Sequence, residues 1–386
     1  MTSRILPTCL LAIALTLLTG DSARAEETWT PLFNGKDLSN WVNVNCAPET
    51  WSVGDGVIRC TGAPIGALRT KRMYENFIIE LEWRHLKAGG NAGIFVWSSP
   101  IAAPGVPFLR SVEVQVLDNG YDAKGKNEWY TTHGDVFPIH GSTMKPIHKG
   151  NGMRCFPLEE HSRSAPEWNH YRIEANDGKI RLSVNGHLVT GGDDCVWRKG
   201  YFGLESEGSP TEWRNLRIQE LPASAVPPTA EQTAPEDQNW RSLYTGTDLR
   251  GWSVTEANRE QFVASDWQIL AKGNGTLPCE LPVPAANFEL VVDSRNEDES
   301  APLGIELIRG EGRHAVSLAG PKGKWIRHTI RVAGTTVTTS SGGGAPQATE
   351  NVLARNGKDG KPLSLALKGA AGGGAFANLY IRSLPE

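Results

Sequence analysis

Apolar and polar residues alternate along much of the chain. In NFIIELEWR, Phe77, Ile79, Leu81 and Trp83 fall on one side of an extended backbone, and Glu80, Glu82 and Arg84 on the other. That period of two marks a strand with one face in a core. GIFVW, SVEVQVLD and HYRIEA continue the series. Asn176-Asp177-Gly178 and Asn185-Gly186 bracket KIRLSV as tight hairpin turns, and GYFGLESEG and EWRNLRIQEL follow. No stretch carries a helical period. Many short, evenly spaced strands predict an antiparallel sandwich.

The pattern occurs twice. WTPLFNGKDLSNW (residues 29–41) and WRSLYTGTDLRGW (residues 240–252) share six of thirteen residues at an offset of 211. Asn76-Phe77 and Gly93-Ile94 recur as Asn287-Phe288 and Gly304-Ile305 at the same offset. Trp168 and Ile173 match Trp325 and Ile330 at 157, and NLRIQELP matches NLYIRSLP at 163. The second copy therefore lacks a net 54 residues between Gly93 and Trp168. The expected organisation is an export segment (residues 1–25), a first domain (26–221), an exposed Pro- and Ala-rich linker (222–238) and a shorter second domain (239–386).

Composition narrows the partners. The 386 residues hold 42 Gly and 24 Pro, which favours turns over long helices, and 13 Trp. A net charge of −4 with no basic run argues against nucleic acid. Arg4, the apolar run LLAIALTLL and Ala23-Arg24-Ala25 read as a cleaved signal peptide, and no later stretch is apolar enough to span a membrane. The mature chain is expected to begin at Glu26 and to act in the periplasm or outside the cell, without a lipid anchor on Cys9. Export permits disulfides. Cys46–Cys60 and Cys155–Cys195 are the expected pairs, leaving Cys279 over, although spacing alone does not fix connectivity and five reduced thiols are the alternative. C-x-x-C, G-x-G-x-x-G, the P-loop, G-x-S-x-G and H-E-x-x-H are all absent, so nucleotide cofactors and a serine nucleophile have no support.

LFNGKDLSNW, WSVGDG, EVQVLD, Trp168-Asn169-x-Tyr171, the Asn185-Gly186 turn and GSPTEWRNLRI, in that order, resemble the 3-keto-disaccharide hydrolase domain, a family long carried as a domain of unknown function. The resemblance covers residues 26–221 and only the ends of the second copy. It implies an all-β protein: a concanavalin A-like jelly-roll sandwich followed by a degenerate second copy. It also implies sugar bound on the concave sheet and hydrolysis of 3-keto-glycosides. LESEG stands where the family often carries a His near Glu207, which speaks against His- or metal-dependent chemistry.

The residues suggest their own chemistry. In SVEVQVLD, Val112, Val114 and Val116 face the core while Glu113 and Gln115 share the other side. An amide at the centre makes a plain double displacement by two carboxylates on one strand unsuited. A 3-keto sugar offers another route, because its ketone acidifies the C2 hydrogen. Glu113 is the candidate base or nucleophile, Gln115 a donor to the sugar, and Glu205 or a loop His the acid; Glu113 and Glu205 read equally as a sugar-binding acceptor and a solvated strand residue. Glu80, Glu82 and Arg84 read as a salt-bridged outer face. Asn91, Trp97, Arg110, Asp118, Trp129, Tyr130 and His133 are candidate sugar contacts, with core filling the equal alternative for Trp97. No cofactor is fixed by the sequence and the need for a divalent metal stays open; His133, Asp135 and His140, with His148 on the same loop, are the set such an ion would use. At the repeat offset Glu205 falls on Lys368 and Glu207 on Ala370, so the second copy cannot share this chemistry; packing, partner contact or weak glycan binding remains for it. A carbohydrate-cleaving enzyme is the first reading, a non-catalytic, lectin-like envelope protein the second, and a structural adhesion protein of the envelope the third.

Overall fold

The computed structural model describes residues 28–122, 127–279, 287–310, 312–350, 352–353 and 363–385; the expected export segment lies outside them. Among these residues the fold is all-β, with four antiparallel sheets in two sandwiches. In the first sandwich, a nine-stranded sheet packs over an eight-stranded one that runs, in spatial order, Gly150–Asn151, Arg154–Cys155, Val136–Ile139, Ser111–Leu117, Asn91–Ser98, Tyr201–Ser206, Gly66–Thr70 and Trp41–Val44. The second sandwich pairs an eight-stranded sheet with a four-stranded one.

The alternation read from sequence is the packing. Phe77, Ile79, Leu81 and Trp83 are buried between the sheets of the first sandwich, and Glu80, Glu82 and Arg84 pair across the outer face with Arg217, Arg214 and Glu212 at 2.5, 2.5 and 2.6 Å. Asp177-Gly178 and Asn185-Gly186 close two-residue turns with positive φ at each position, which asparagine, aspartate and glycine tolerate best. The first-copy bulge at Asn215 (φ +56°) recurs at Asn378 (φ +48°). Each asparagine donates to an acid at the repeat-equivalent position, Glu82 and Asp293, at 2.9 and 2.7 Å.

Two linked replacements between the copies lie where they meet. The outer-face ion pair Glu80–Arg217 of the first copy is replaced in the second by Val291 opposite Tyr380. These two side chains pack on Val44, Ala67 and Phe95 of the first sandwich's eight-stranded sheet. The Tyr380 hydroxyl donates to Asn45 at 2.6 Å, and Asn45 donates to Asn378 at 2.8 Å. The second sandwich thus covers one end of the first sandwich's sheet. Residues 222–238 are pinned rather than loose: Asp237 pairs with the buried Arg69 guanidinium at 2.6 Å, and backbone bonds tie Gln232 and Ala234 to Arg198 and Lys199. A buried guanidinium needs a carboxylate, and the linker supplies it.

The expected disulfides are not formed. Cys46, Cys60, Cys155 and Cys195 are all buried thiols, each with its own surroundings. Cys46 Sγ lies 3.9 Å from the Pro64 carbonyl, Cys60 Sγ accepts from the Gly62 N–H at 3.3 Å, and Cys155 Sγ sits 3.5 Å from His148 Nδ1. Burial pushes the Cys195 thiol up to about 12.

Candidate active site

Along Ser111–Leu117 and its neighbours, alternate residues point away from the core onto the exposed side of the eight-stranded sheet. Glu113 and Gln115 come from this strand, Asn91 and Gly93 from the next, and Glu205 from Tyr201–Ser206. Asn91, Glu113, Gln115 and Glu205, together with Glu207, Arg154, Phe108, Phe137, Ile139 and His140, line a cavity of about 230 Å³. A larger cavity of about 560 Å³ lies on the opposite sheet, but its Glu80 and Glu82 are already ion-paired.

Gly93 makes the convergence feasible. A Cβ there would lie 2.7 Å from Glu205 Oε2 and 2.8 Å from Glu113 Oε1, so the two carboxyl groups meet over a gap that only glycine leaves. Glu205 Oε2 is buried without a hydrogen-bond partner. Such an orphaned acceptor is costly and points to a site made for another molecule.

A directed chain of hydrogen bonds underlies the carboxyls. Arg154 can only donate, so its contacts fix the polarity of every amide after it. Its Nε donates to Asp135 at 2.6 Å and its Nη2 to Gln115 Oε1 at 2.6 Å. Gln115 Nε2 donates to Asn91 Oδ1 at 3.0 Å and the Ala92 carbonyl at 3.2 Å, and Asn91 Nδ2 donates to Glu207 Oε2 at 2.5 Å. Asp135 is fully buried and is also held by Thr131.

Burial and mutual repulsion keep protons on this cluster. Burial, then the Glu207 carboxylate, pushes Glu113 up to about 8, with Arg154 opposing. Burial and the charges of Glu113 and Glu207 raise Glu205 well above the ordinary carboxylate range. Burial also raises Glu207, while the neighbouring Glu205 carboxyl lowers it. Glu113 and Glu205 therefore both hold a proton more readily than an ordinary carboxyl, the condition for proton transfer to and from a bound molecule.

Of the expected residues, Glu113, Gln115, Glu205 and Asn91 come together. Gln115 is a positioning residue, not a sugar donor, because its N–H groups are committed to Asn91 and Ala92. Asp118 is a loop anchor: burial works against its charge, but the N–H groups of Gly89, Gly120 and Ala165 at 2.6–2.8 Å hold its pKa low. Trp97 fills the core. Its positive φ (+54°) breaks the alternation and turns the ring onto Phe77, with Nε1 donating to the Glu75 carbonyl. Arg110 stacks on Trp197 outside the carboxyl cavity. Trp129 is 73% exposed, and Tyr130 and His133 line a separate cavity of about 170 Å³ with Glu160.

The residues nominated for a metal do not converge. His133 bonds Glu160 and Ser162, Asp135 is spent on Arg154, and His140 stacks on Phe108. Among the described residues, Glu159, His161 and His187 bring ligand atoms within 4.8 Å of one another, but none of them lines the carboxyl cavity. Sequence reasoning missed Arg154, Phe108, Phe137 and Ile139 as cavity residues; Arg154 stands in a two-residue strand with no pattern to flag it.

Residues 28–219 match the family described as the 3-keto-alpha-glucoside-1,2-lyase-like domain. Among solved structures, a glycosyl hydrolase candidate from Parabacteroides distasonis is 24% identical over 51% of this chain and 95% of its own, at a TM-score of 0.40. A second from the same organism is 26% identical over 50% of this chain and 100% of its own, at 0.38. A carbohydrate-binding module, CBM66 from Bacillus subtilis, is 15% identical over 47% of this chain and 96% of its own, at 0.35. No curated protein matches the chain.

Proposed function

We propose, from the premise that residues 28–219 belong to the 3-keto-alpha-glucoside-1,2-lyase-like family, that this carbohydrate-active domain breaks the glycosidic bond of 3-keto-disaccharides or related glycosides. Ionised Glu113 removes the C2 hydrogen made acidic by the neighbouring ketone. The electron pair enters the C2–C3 enolate, whose oxygen charge is set against Arg154, the one arginine or lysine among the described residues that line the cavity. As the C1–O bond breaks and a C1–C2 double bond forms, the leaving oxygen takes the proton held by Glu205. Water then adds to C1 and a proton returns to C2, with no net oxidation. Gln115 and Asn91 hold the cluster in register.

The convergence of Glu113 and Glu205 over Gly93 carries this reading. The test incubates the chain with a 3-keto-disaccharide and with its unoxidised parent, in heavy water. Release from the keto sugar alone, with deuterium entering C2 and about 10²-fold or greater loss in Glu113→Gln, is expected. Binding without release or exchange would replace it with a lectin-like role. We also place this activity outside the cytoplasm; mass analysis of exported protein should find Glu26 at the N-terminus, and an intact Met1 would refute this.

A further inference from the structure

A second cavity, of about 420 Å³, lies where the two sandwiches and the linker meet. His140 lines both it and the carboxyl cavity, and its ring stacks on Phe108 of the carboxyl cavity with centroids 5.8 Å apart. The first sandwich contributes Arg110 and Trp197, and the second contributes Trp240, Arg327 and Arg382.

Two guanidinium–indole stacks form its walls: Arg110 lies 4.0 Å over Trp197 and Arg382 5.0 Å over Trp240. Arg327 is matched by Asp293 and the Ala102 carbonyl, and Arg382 by Glu289 at 3.2 Å. Among the described residues no carboxylate reaches Arg110, and the Nε donors of Arg110 and Arg382 are both buried without a partner. Glu236, the remaining acid of the lining, stands exposed at the rim. A half-buried guanidinium without a carboxylate partner beside flat aromatic faces suits a planar, oxygen-rich anion. Sugar rings also pack on indole faces through their C–H groups.

We infer that this junction cavity binds an acidic sugar, a ring bearing a carboxylate, with Arg110 on the carboxylate and Trp240 against the ring. The second sandwich is then part of the ligand site, contributing Trp240 and Arg382. Calling the occupant the leaving group of the cleaved glycoside rests on the function proposed above; the binding itself does not.

The experiment titrates the full chain with glucuronate and with glucose, read by calorimetry and tryptophan fluorescence. Glucuronate should bind at least tenfold more tightly. Arg110→Gln should erase that preference, Arg110→Lys should keep part of it, and Trp240→Ala should weaken glucuronate binding. Glu113→Gln, in the adjoining cavity, should leave glucuronate binding unchanged. Equal binding of the two sugars, or a preference that survives Arg110→Gln in a variant that melts like the parent, would overturn the assignment. The preference can hold when no glycoside is cleaved, or fail when cleavage is seen, so the two proposals fall separately.

Discussion

Gly93→Ala tests the candidate site with the smallest perturbation available. Gly93 lies within the extended strand Asn91–Ser98, so alanine suits the backbone and should add roughly 0.5–1 kcal/mol by restricting the unfolded chain. The new methyl would meet Glu205 Oε2 at 2.7 Å and Glu113 Oε1 at 2.8 Å, where ordinary contact begins at 3.4 Å. The Glu205 and Glu113 oxygens must therefore retreat by about 0.7 and 0.6 Å. A misplacement of about 1 Å costs on the order of 10²-fold in rate, so kcat/KM on a 3-keto-disaccharide should fall roughly 10- to 100-fold. The gain in chain stiffness and the cost of moving the carboxyls oppose each other, so Tm should stay within about 4 °C of the parent. Initial rates of monosaccharide release and calorimetric melting, run side by side, decide the matter. An unchanged rate would remove Glu113 and Glu205 from the chemistry. A loss of more than about 8 °C in Tm would make the glycine a packing requirement and refute the reasoning.

Glu113→Gln should raise stability in a pH-dependent way. Because the folded pKa is raised to about 8, folding opposes ionisation; the penalty is absent below the ordinary carboxylate range, grows as pH rises and is complete above about 8. Melting of variant and parent should therefore diverge between about pH 4.5 and 8 with the variant higher, and a constant difference would count against a buried, neutral Glu113. Arg154→Met leaves the fully buried Asp135 unpaired and should cost about 3–5 kcal/mol in chemical denaturation. Adding Asp135→Leu should restore most of that stability but no activity, since Gln115 Oε1 still lacks its donor; recovery of activity would separate the hydrogen-bond chain from function.

What the chain made legible was periodic or repeated. The alternation through Phe77–Trp83 and the parity that sets Glu113 and Gln115 in the cavity against Val112, Val114 and Val116 in the core are local properties of a strand, and both are seen in the sheet. What was not legible depended on partners distant in sequence. Gln115 looks like a free donor until Arg154, 39 residues on, fixes its amide. Asp118 looks like a site carboxylate, but three backbone N–H groups claim it. Trp97 follows the concave-face parity of Gly93 and Phe95, and one positive φ reverses it. Residues 222–238 have a linker's composition, yet Asp237 is bound by an arginine from the strand Gly66–Thr70.

The docking of the second sandwich had a sequence signal that only the repeat alignment exposes, and it yields a direct test. At offsets 211 and 163, Glu80 and Arg217 become Val291 and Tyr380. In the first copy the charged pair sits partly exposed at 2.5 Å; in the second, Val291 and Tyr380 are 4% and 1% exposed against the neighbouring sandwich. The double variant Val291→Glu/Tyr380→Arg restores the first copy's pair on an otherwise unchanged sheet. Undocked, the pair is solvated and the second sandwich keeps its core of Leu290, Val292, Ile330 and Ile381. Docked, it must be stripped of water against Phe95 and Ala67, a cost that exceeds the attraction it regains, and the Tyr380 bond to Asn45 is lost as well. The expected product is two folded sandwiches joined by the linker. It should show a larger radius of gyration by X-ray scattering, two separate melting transitions and weaker glucuronate binding as Trp240 and Arg382 leave Arg110. Release from a 3-keto-disaccharide should persist, because Glu113, Glu205 and Arg154 all belong to the first sandwich. An unchanged scattering profile with a single transition would mean that Val291 and Tyr380 do not hold the sandwiches together.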